Sequence, residues 1–78
     1  MIPMFFDQDV KLEGLYSKRI SMVDKSVYQS KNKNEIVKNH VMHISNDLKE
    51  EGYEPVEGKG YIKGNFVICE IIYIALVQ

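Results

Sequence analysis

The sequence lacks the residues that cross-link small secreted proteins. Among 78 residues there is a single cysteine, and tryptophan is absent. Because Cys69 has no second thiol to pair with, an internal disulfide is excluded, and a reducing compartment such as the cytoplasm is favoured. No Cys-X-X-Cys spacing and no basic sequence neighbour would activate this thiol, so we expect it to be buried and inert.

Long apolar runs are also missing. The N-terminus has no basic flank, apolar stretch and small-residue cleavage site in succession, so no signal peptide is expected. The apolar segment 66–77 is interrupted by Glu70 and falls short of the roughly 20 residues that a membrane-spanning helix needs. We therefore expect a soluble, cytoplasmic protein that does not interact with membranes.

The charges nearly balance, at a net −1, while 45% of the residues are hydrophobic and 27% are charged. This composition is typical of a globular protein and gives no overall field that would attract nucleic acid. The length predicts a single domain over residues 1–78 with modest stability. Nine lysines against one arginine, with many Ile, Asn and Tyr, indicate an AT-rich genome, which favours a bacterium or a phage.

The clearest predicted element is a helix from Asn34 to Glu51. Asn34 is placed to cap its first turn, and Gly52 to end it in the left-handed conformation, with Tyr53 packing back on Leu48. The spacing of four apolar residues predicts one buried stripe: Val37, Val41, Ile44 and Leu48.

The second clear element is a C-terminal hairpin. Residues 66–77 are rich in β-branched and aromatic side chains, and Gly64-Asn65 fits a two-residue turn. That turn pairs Lys63 with Phe66, and counting back pairs Tyr61 with Ile68, Lys59 with Glu70 and Glu57 with Ile72. An ion pair between Lys59 and Glu70 supports this register. The alternative is a shorter hairpin that turns at Gly58-Lys59-Gly60.

In the longer register, one face of the hairpin is nearly uncharged and packs against the helix. Glycines there would allow the helix to approach the sheet closely. The predicted core face consists of Val56, Gly58, Gly60, Ile62, Val67, Cys69, Ile71, Tyr73 and Ala75.

The first third of the chain is less regular. Alternation from Val10 to Tyr16 suggests a strand, and residues 20–23 suggest another strand or its continuation. Residues 24–33 are polar and predict a connection. The predicted fold class is therefore α+β: a small antiparallel sheet of three to four strands, in the chain order β-(β)-α-β-β, with one helix packed on one face.

Few residues suggest catalysis or cofactor binding. His40, His43 and Asp47 share one side of the helix, but three ligands without a distant pair make a poor zinc site, so we expect no metal. Glu70 lacks the second carboxylate or histidine that a general acid usually needs. Gly58, Gly60 and Gly64 precede no helix N-terminus, so they do not predict a phosphate loop. We expect no enzyme activity and no cofactor.

Two charged clusters are candidate contact sites. Four acidic residues, Glu50, Glu51, Glu54 and Glu57, could engage a basic groove. The segment 17–33 is basic, with Tyr16 before it and Tyr28 within it, and it could contact nucleic acid through Lys18, Arg19, Lys25, Lys31 and Lys33. In each case the simpler interpretation is a solvated surface.

The hairpin has a second face that the helix cannot cover, with Tyr61, Ile68, Ile72, Ile74 and Leu76 as the candidate interface. So many exposed apolar side chains on one surface would be unusual for a monomer. Either the N-terminal Phe5 and Phe6 fold over this face, or a second copy covers it in a symmetric homodimer.

The leading functional hypothesis is a non-enzymatic protein-binding module, such as an inhibitor or regulator encoded by a phage or mobile element. A nucleic-acid-binding regulator that uses the basic segment is the alternative. A weaker third hypothesis is a small-ligand binder with a pocket between two protomers.

Overall fold

Four antiparallel strands form one sheet, and one helix packs on one side of it. The computed structural model describes residues 5–75, and its elements are β1 (Phe5–Lys11), β2 (Tyr16–Asp24), a 3-10 turn (Lys25–Val27), α1 (Lys33–Glu50), β3 (Tyr53–Lys63) and β4 (Phe66–Ala75). The strand order is β1-β2-β4-β3, and α1 packs chiefly against β3 and β4. This architecture confirms the predicted α+β class with its single helix on one face.

The β3–β4 hairpin has the predicted register. Lys63 pairs with Phe66 across the turn, Tyr61 pairs with Ile68, and the register continues without a shift as far as Glu57 and Ile72. Gly64 in the turn has φ 62°, a left-handed angle that favours glycine. The shorter hairpin that turned at residues 58–60 is therefore wrong.

Beyond Glu57 the hairpin departs from the prediction. The register shifts between Pro55 and Glu57, which inserts Val56 as an extra residue on β3. Val56 was expected in the core, but it is 54% exposed. Proline cannot donate a ladder hydrogen bond and is confined to edges and bulges, so Pro55 is the sequence signal for this irregularity.

Helix α1 begins one residue earlier than expected. The cap is Asn32 rather than Asn34, since the Asn32 side chain accepts a hydrogen bond from the Glu35 amide at 3.2 Å. The predicted end is confirmed, because Gly52 has φ 92°. The buried stripe also differs, and it consists of Ile36, His40, Ile44 and Leu48.

Val37 and Val41, predicted in that stripe, instead lie over the glycines of β3. A Cβ atom added at Gly60 would stand 2.8 Å from Val37 Cγ1 and 2.9 Å from Val41 Cγ2. At Gly58 the nearest atom would be Ile71 Cγ1, at 3.3 Å. These glycines therefore allow α1 to approach β3 closely, as the sequence predicted.

The N-terminal third forms a second hairpin. Its strands are β1 and β2, and the predicted strand from Val10 to Tyr16 is wrong because residues 12–15 form the turn, with Gly14 at φ 67°. β1 lies at the sheet edge and pairs Phe5 with Val23 and Phe6 with Met22. The segment that begins with Phe5 and Phe6 thus widens the sheet rather than folding across it.

The core lies between α1 and the inner side of β2, β3 and β4. Leu48, Val67 and Cys69 are fully buried there, and Tyr53 packs against the cluster that contains Leu48. Burial raises the pKa of the Cys69 thiol to about 12, so the thiol stays protonated. Within the described residues, no helix is long and apolar enough to cross a membrane.

Candidate functional site: the outer face of the sheet

The side of the sheet opposite α1 carries many apolar side chains. Along β4 every second residue is buried beneath α1, while Phe66, Ile68, Ile72 and Ile74 point the other way and are half-buried. The strand registers place further apolar residues of β1, β2 and β3 on the same side. We call this set the outer face: Phe6, Val10, Tyr16, Ile20, Met22, Tyr61, Phe66, Ile68, Ile72 and Ile74.

The aromatic side chains of this face are widely exposed. Tyr16 is 47% exposed, Phe6 is 44% exposed and Tyr61 is 43% exposed. No helix or strand of residues 5–75 crosses over them. The outer face is therefore a largely apolar surface about the width of four strands, or roughly 19 Å.

Charged side chains interrupt the outer face near its centre, where Lys18, Glu57, Lys59 and Glu70 surround Ile72. Lys18 Nζ lies 3.3 Å from Glu70 Oε1, and the Tyr61 hydroxyl donates to Glu70 Oε2 at 3.4 Å. Lys59 lies opposite Glu70 in the register, but among the described residues it is Lys18 that forms the ion pair. The predicted cross-strand pairing of Lys59 with Glu70 is confirmed, but the predicted ion pair between them is wrong, because the neighbouring strand β2 supplies the closer lysine.

The structure brings most of the predicted interface together. Tyr61, Ile68, Ile72 and Ile74 all lie on the outer face, whereas Leu76 lies outside the described residues. Sequence reasoning missed the contributions of β1 and β2. A period of two was present in β2, where Ile20 and Met22 alternate with polar Ser21, but the order of the strands was not readable from the sequence.

The predicted acidic cluster divides between the two sides of the sheet. Glu54 and Glu57 pair with Ile74 and Ile72 of β4 and so lie beside the outer face. Glu51 accepts hydrogen bonds from Arg19 at 2.7 and 2.9 Å on the helix side. Glu50 is exposed at the end of α1. These four acids do not form one surface.

The predicted basic cluster also divides. Arg19 is held between Asp9 and Glu51, with Nε 2.8 Å from Asp9 Oδ1 and a side chain only 12% exposed. The guanidinium lowers the pKa values of both Asp9 and Glu51 through these hydrogen bonds. Lys18 points to the opposite side, where it pairs with Glu70. Only Lys25, Lys31 and Lys33 share a surface, in a shallow hollow beside Tyr28.

The helix histidines form a different arrangement from a metal site. His40 is fully buried, its Nε2 lies 3.2 Å from the Ser21 carbonyl oxygen and its Nδ1 lies 2.6 Å from the Tyr28 hydroxyl. Because a carbonyl only accepts, Nε2 donates to it, and Nδ1 accepts from Tyr28. Among residues 5–75 no group of three potential ligands gathers.

Neither Glu70 nor Cys69 has the surroundings of a reactive group. Glu70 is already bound by Lys18 and Tyr61, and Cys69 is buried with a raised pKa.

Comparison of the chain with protein-family models, with curated proteins and with solved structures found no match in any of the three.

Proposed function

We propose that this protein is a non-enzymatic protein-binding module and that it binds through the outer face, which a second copy of the chain covers. The observation that carries this proposal is the apolar outer face, which no helix or strand of residues 5–75 covers. Apolar patches of this extent usually mark interaction surfaces.

A second copy is chemically suited to this face. In a two-fold interface each side chain meets the same surface of the partner, so apolar side chains such as Tyr61, Ile68 and Ile74 would meet their counterparts. At the centre of the face, Glu70 is paired with Lys18 within the same chain, and Glu57 and Lys59 of β3 also lie beside Ile72. Two such sheets would pack about 10 Å apart, as in a β-sandwich.

The proposal is tested by light scattering after size exclusion, over a range of concentrations, for the wild type and two variants. Ile72→Lys places a charge on the outer face and should give a monomer. Met42→Lys is the matched control, because Met42 is 52% exposed on α1, and it should remain a dimer. A monomeric wild type at high micromolar concentration would contradict the proposal, as would a dimeric Ile72→Lys protein.

The proposal also includes a role as an inhibitor or regulator of another molecule. A module without reactive groups acts by occupying a surface of another molecule, which suits a small inhibitor or regulator encoded by a phage or mobile element.

The nucleic-acid alternative is weakened because Lys18 and Arg19 are engaged within the chain. A labelled oligonucleotide that shifts at low salt, and releases on Lys31→Glu, would favour that alternative.

A further inference from the structure

A second recess lies on the helix side of the sheet, away from the outer face. Helix α1 packs chiefly on β3 and β4, so it leaves a groove along β1 and β2. The volume of this groove is about 410 Å³, which lies within the range of small-molecule sites. We refer to it as the helix-side groove.

The groove is apolar within. Val23 of β2 and Ile44 of α1 line it from the two walls, and Val27 of the 3-10 turn also lines it. Tyr28 presents its ring there, and burial raises the pKa of its phenol to about 12, so the ring remains neutral. His40 lies beside Tyr28. Its pKa is lowered chiefly by burial, so this imidazole is also uncharged at pH 7.

Two carboxylates line the groove. Asp7 of β1 lines one side and Asp47 of α1 lines the other, with His43 beside Asp47 at 3.7 Å. No lysine or arginine lines this groove, and no ion pair among residues 5–75 includes Asp7. The nearby Asp9 differs, since Arg19 and the Tyr73 hydroxyl bind it. The groove is therefore apolar inside and negative at its edges.

We propose that the helix-side groove binds a small organic cation, with its ammonium group at Asp7 and Asp47 and its apolar body against Val23, Val27 and Ile44. Carboxylates on both walls attract a positive ligand, and the Tyr28 ring adds a cation–π contribution. A free small molecule fits better than a partner's lysine side chain, because the groove is large enough for a whole ligand. Since it lies on the helix side, a dimer through the outer face leaves it open.

The test titrates isotopically labelled full-length protein with 2-phenylethylammonium and follows backbone amide shifts. We expect saturable shifts at the residues that line the groove. The neutral 2-phenylethanol and the anionic 3-phenylpropionate should bind at least about tenfold more weakly, because they lack the positive charge. Equal binding of the cation and the alcohol would overturn the proposal, since it would show an apolar cleft without charge selection.

Substitutions of the two aspartates test whether they hold the cation. Asp47→Asn and Asp7→Asn keep the side-chain volume but remove the charge, and each should weaken binding of the cation at least about fivefold. Glu50→Gln is the control, because Glu50 is an exposed acid one turn away that does not line the groove. Unchanged binding in both aspartate variants would overturn the proposal.

A parallel titration with N-acetyl-lysinamide distinguishes the source of the cation. We expect it to bind more weakly than 2-phenylethylammonium, because its charged chain fills less of the apolar interior. Tighter binding of the lysine derivative would overturn the small-molecule assignment and indicate a partner's side chain. No saturable shift with either probe would overturn the proposal altogether.

Discussion

Gly52 ends α1 through its backbone angle alone. Its φ of 92° is one that side chains rarely adopt, and a Cβ atom added there would meet no atom within 4 Å. We therefore predict that Gly52→Ala lowers the free energy of unfolding by about 1 kcal/mol, entirely through backbone conformation. Urea denaturation measures this change. An unchanged midpoint would show that the helix does not need a left-handed residue at this position.

His40 ties α1 to β2 while remaining neutral. Its Nε2 donates to the Ser21 carbonyl and its Nδ1 accepts from Tyr28, so both ring nitrogens are already used. Uptake of a proton would turn Nδ1 into a donor and force the Tyr28 hydroxyl to rotate away from its present role. Together with burial, this arrangement makes the folded protein resist protonation of the imidazole.

Stability should consequently fall as the pH drops below about 6.5, the usual pKa of histidine. The folded-state pKa is lowered, so in this range the unfolded chain binds the proton more readily and gains stability. The slope for one group is at most about 1.4 kcal/mol per pH unit. Unfolding free energies between pH 7.5 and 5 measure it. His40→Gln should be less stable at pH 7 but nearly flat across this range, and an equal slope in both proteins would contradict the prediction.

At the scale of the elements, the sequence predicts the features that depend on residues close together in the chain. Gly64-Asn65 determines the β3–β4 register, and Gly52 determines the end of α1. Features that depend on contacts between residues distant in the sequence could not be predicted. The sequence predicts Arg19 as a candidate nucleic-acid contact, because nothing in it shows that Asp9 and Glu51 converge on this side chain. Half of the outer face was missed for the same reason, since β1 and β2 join it only through tertiary pairing.

The contact between α1 and β3 depends on the absence of a side chain at Gly60. Because an added Cβ would stand 2.8 Å from Val37, we predict that Gly60→Ala costs about 1–3 kcal/mol of stability. Gly58→Ala is the control and should cost less, since its nearest contact would be 3.3 Å. Adding Val37→Ala to Gly60→Ala should cost less than the two single effects summed, in thermal or urea unfolding. Strict additivity would show that the two positions do not touch.

Arg19 connects three elements, since it bonds Asp9 of β1 and Glu51 at the end of α1 while lying on β2. Lysine cannot form two forked pairs, so Arg19→Lys should cost about 1 kcal/mol at pH 7. The lowered pKa values of Asp9 and Glu51 mean that their contribution is present above about pH 4 and is lost as the pH falls further. The stability difference between wild type and variant should therefore shrink at pH 3. A difference that persists there would contradict an electrostatic role.

At the scale of the whole molecule, residues 5–75 form two layers, and the side of the sheet opposite α1 has no covering layer. Its shortest dimension is 19 Å, about the depth of one sheet and one helix. The layer of α1 buries one side of the sheet, and the outer face on the other side presents Ile68, Ile72 and Ile74. A small chain gains a proportionally larger core when two copies share such a face. This makes self-association the central claim of the account.

The most direct test is an isotope-filtered NOE experiment on an equimolar mixture of ¹³C-labelled and unlabelled protein. It detects only contacts between different copies. We predict intermolecular contacts from the methyl groups of Ile68 and Ile72 to aromatic protons of Tyr61 and Phe66 in the other copy. The absence of intermolecular contacts at concentrations where light scattering reports a dimer, or contacts confined to exposed helix residues such as Met42, would contradict the claim that the outer face is the binding surface.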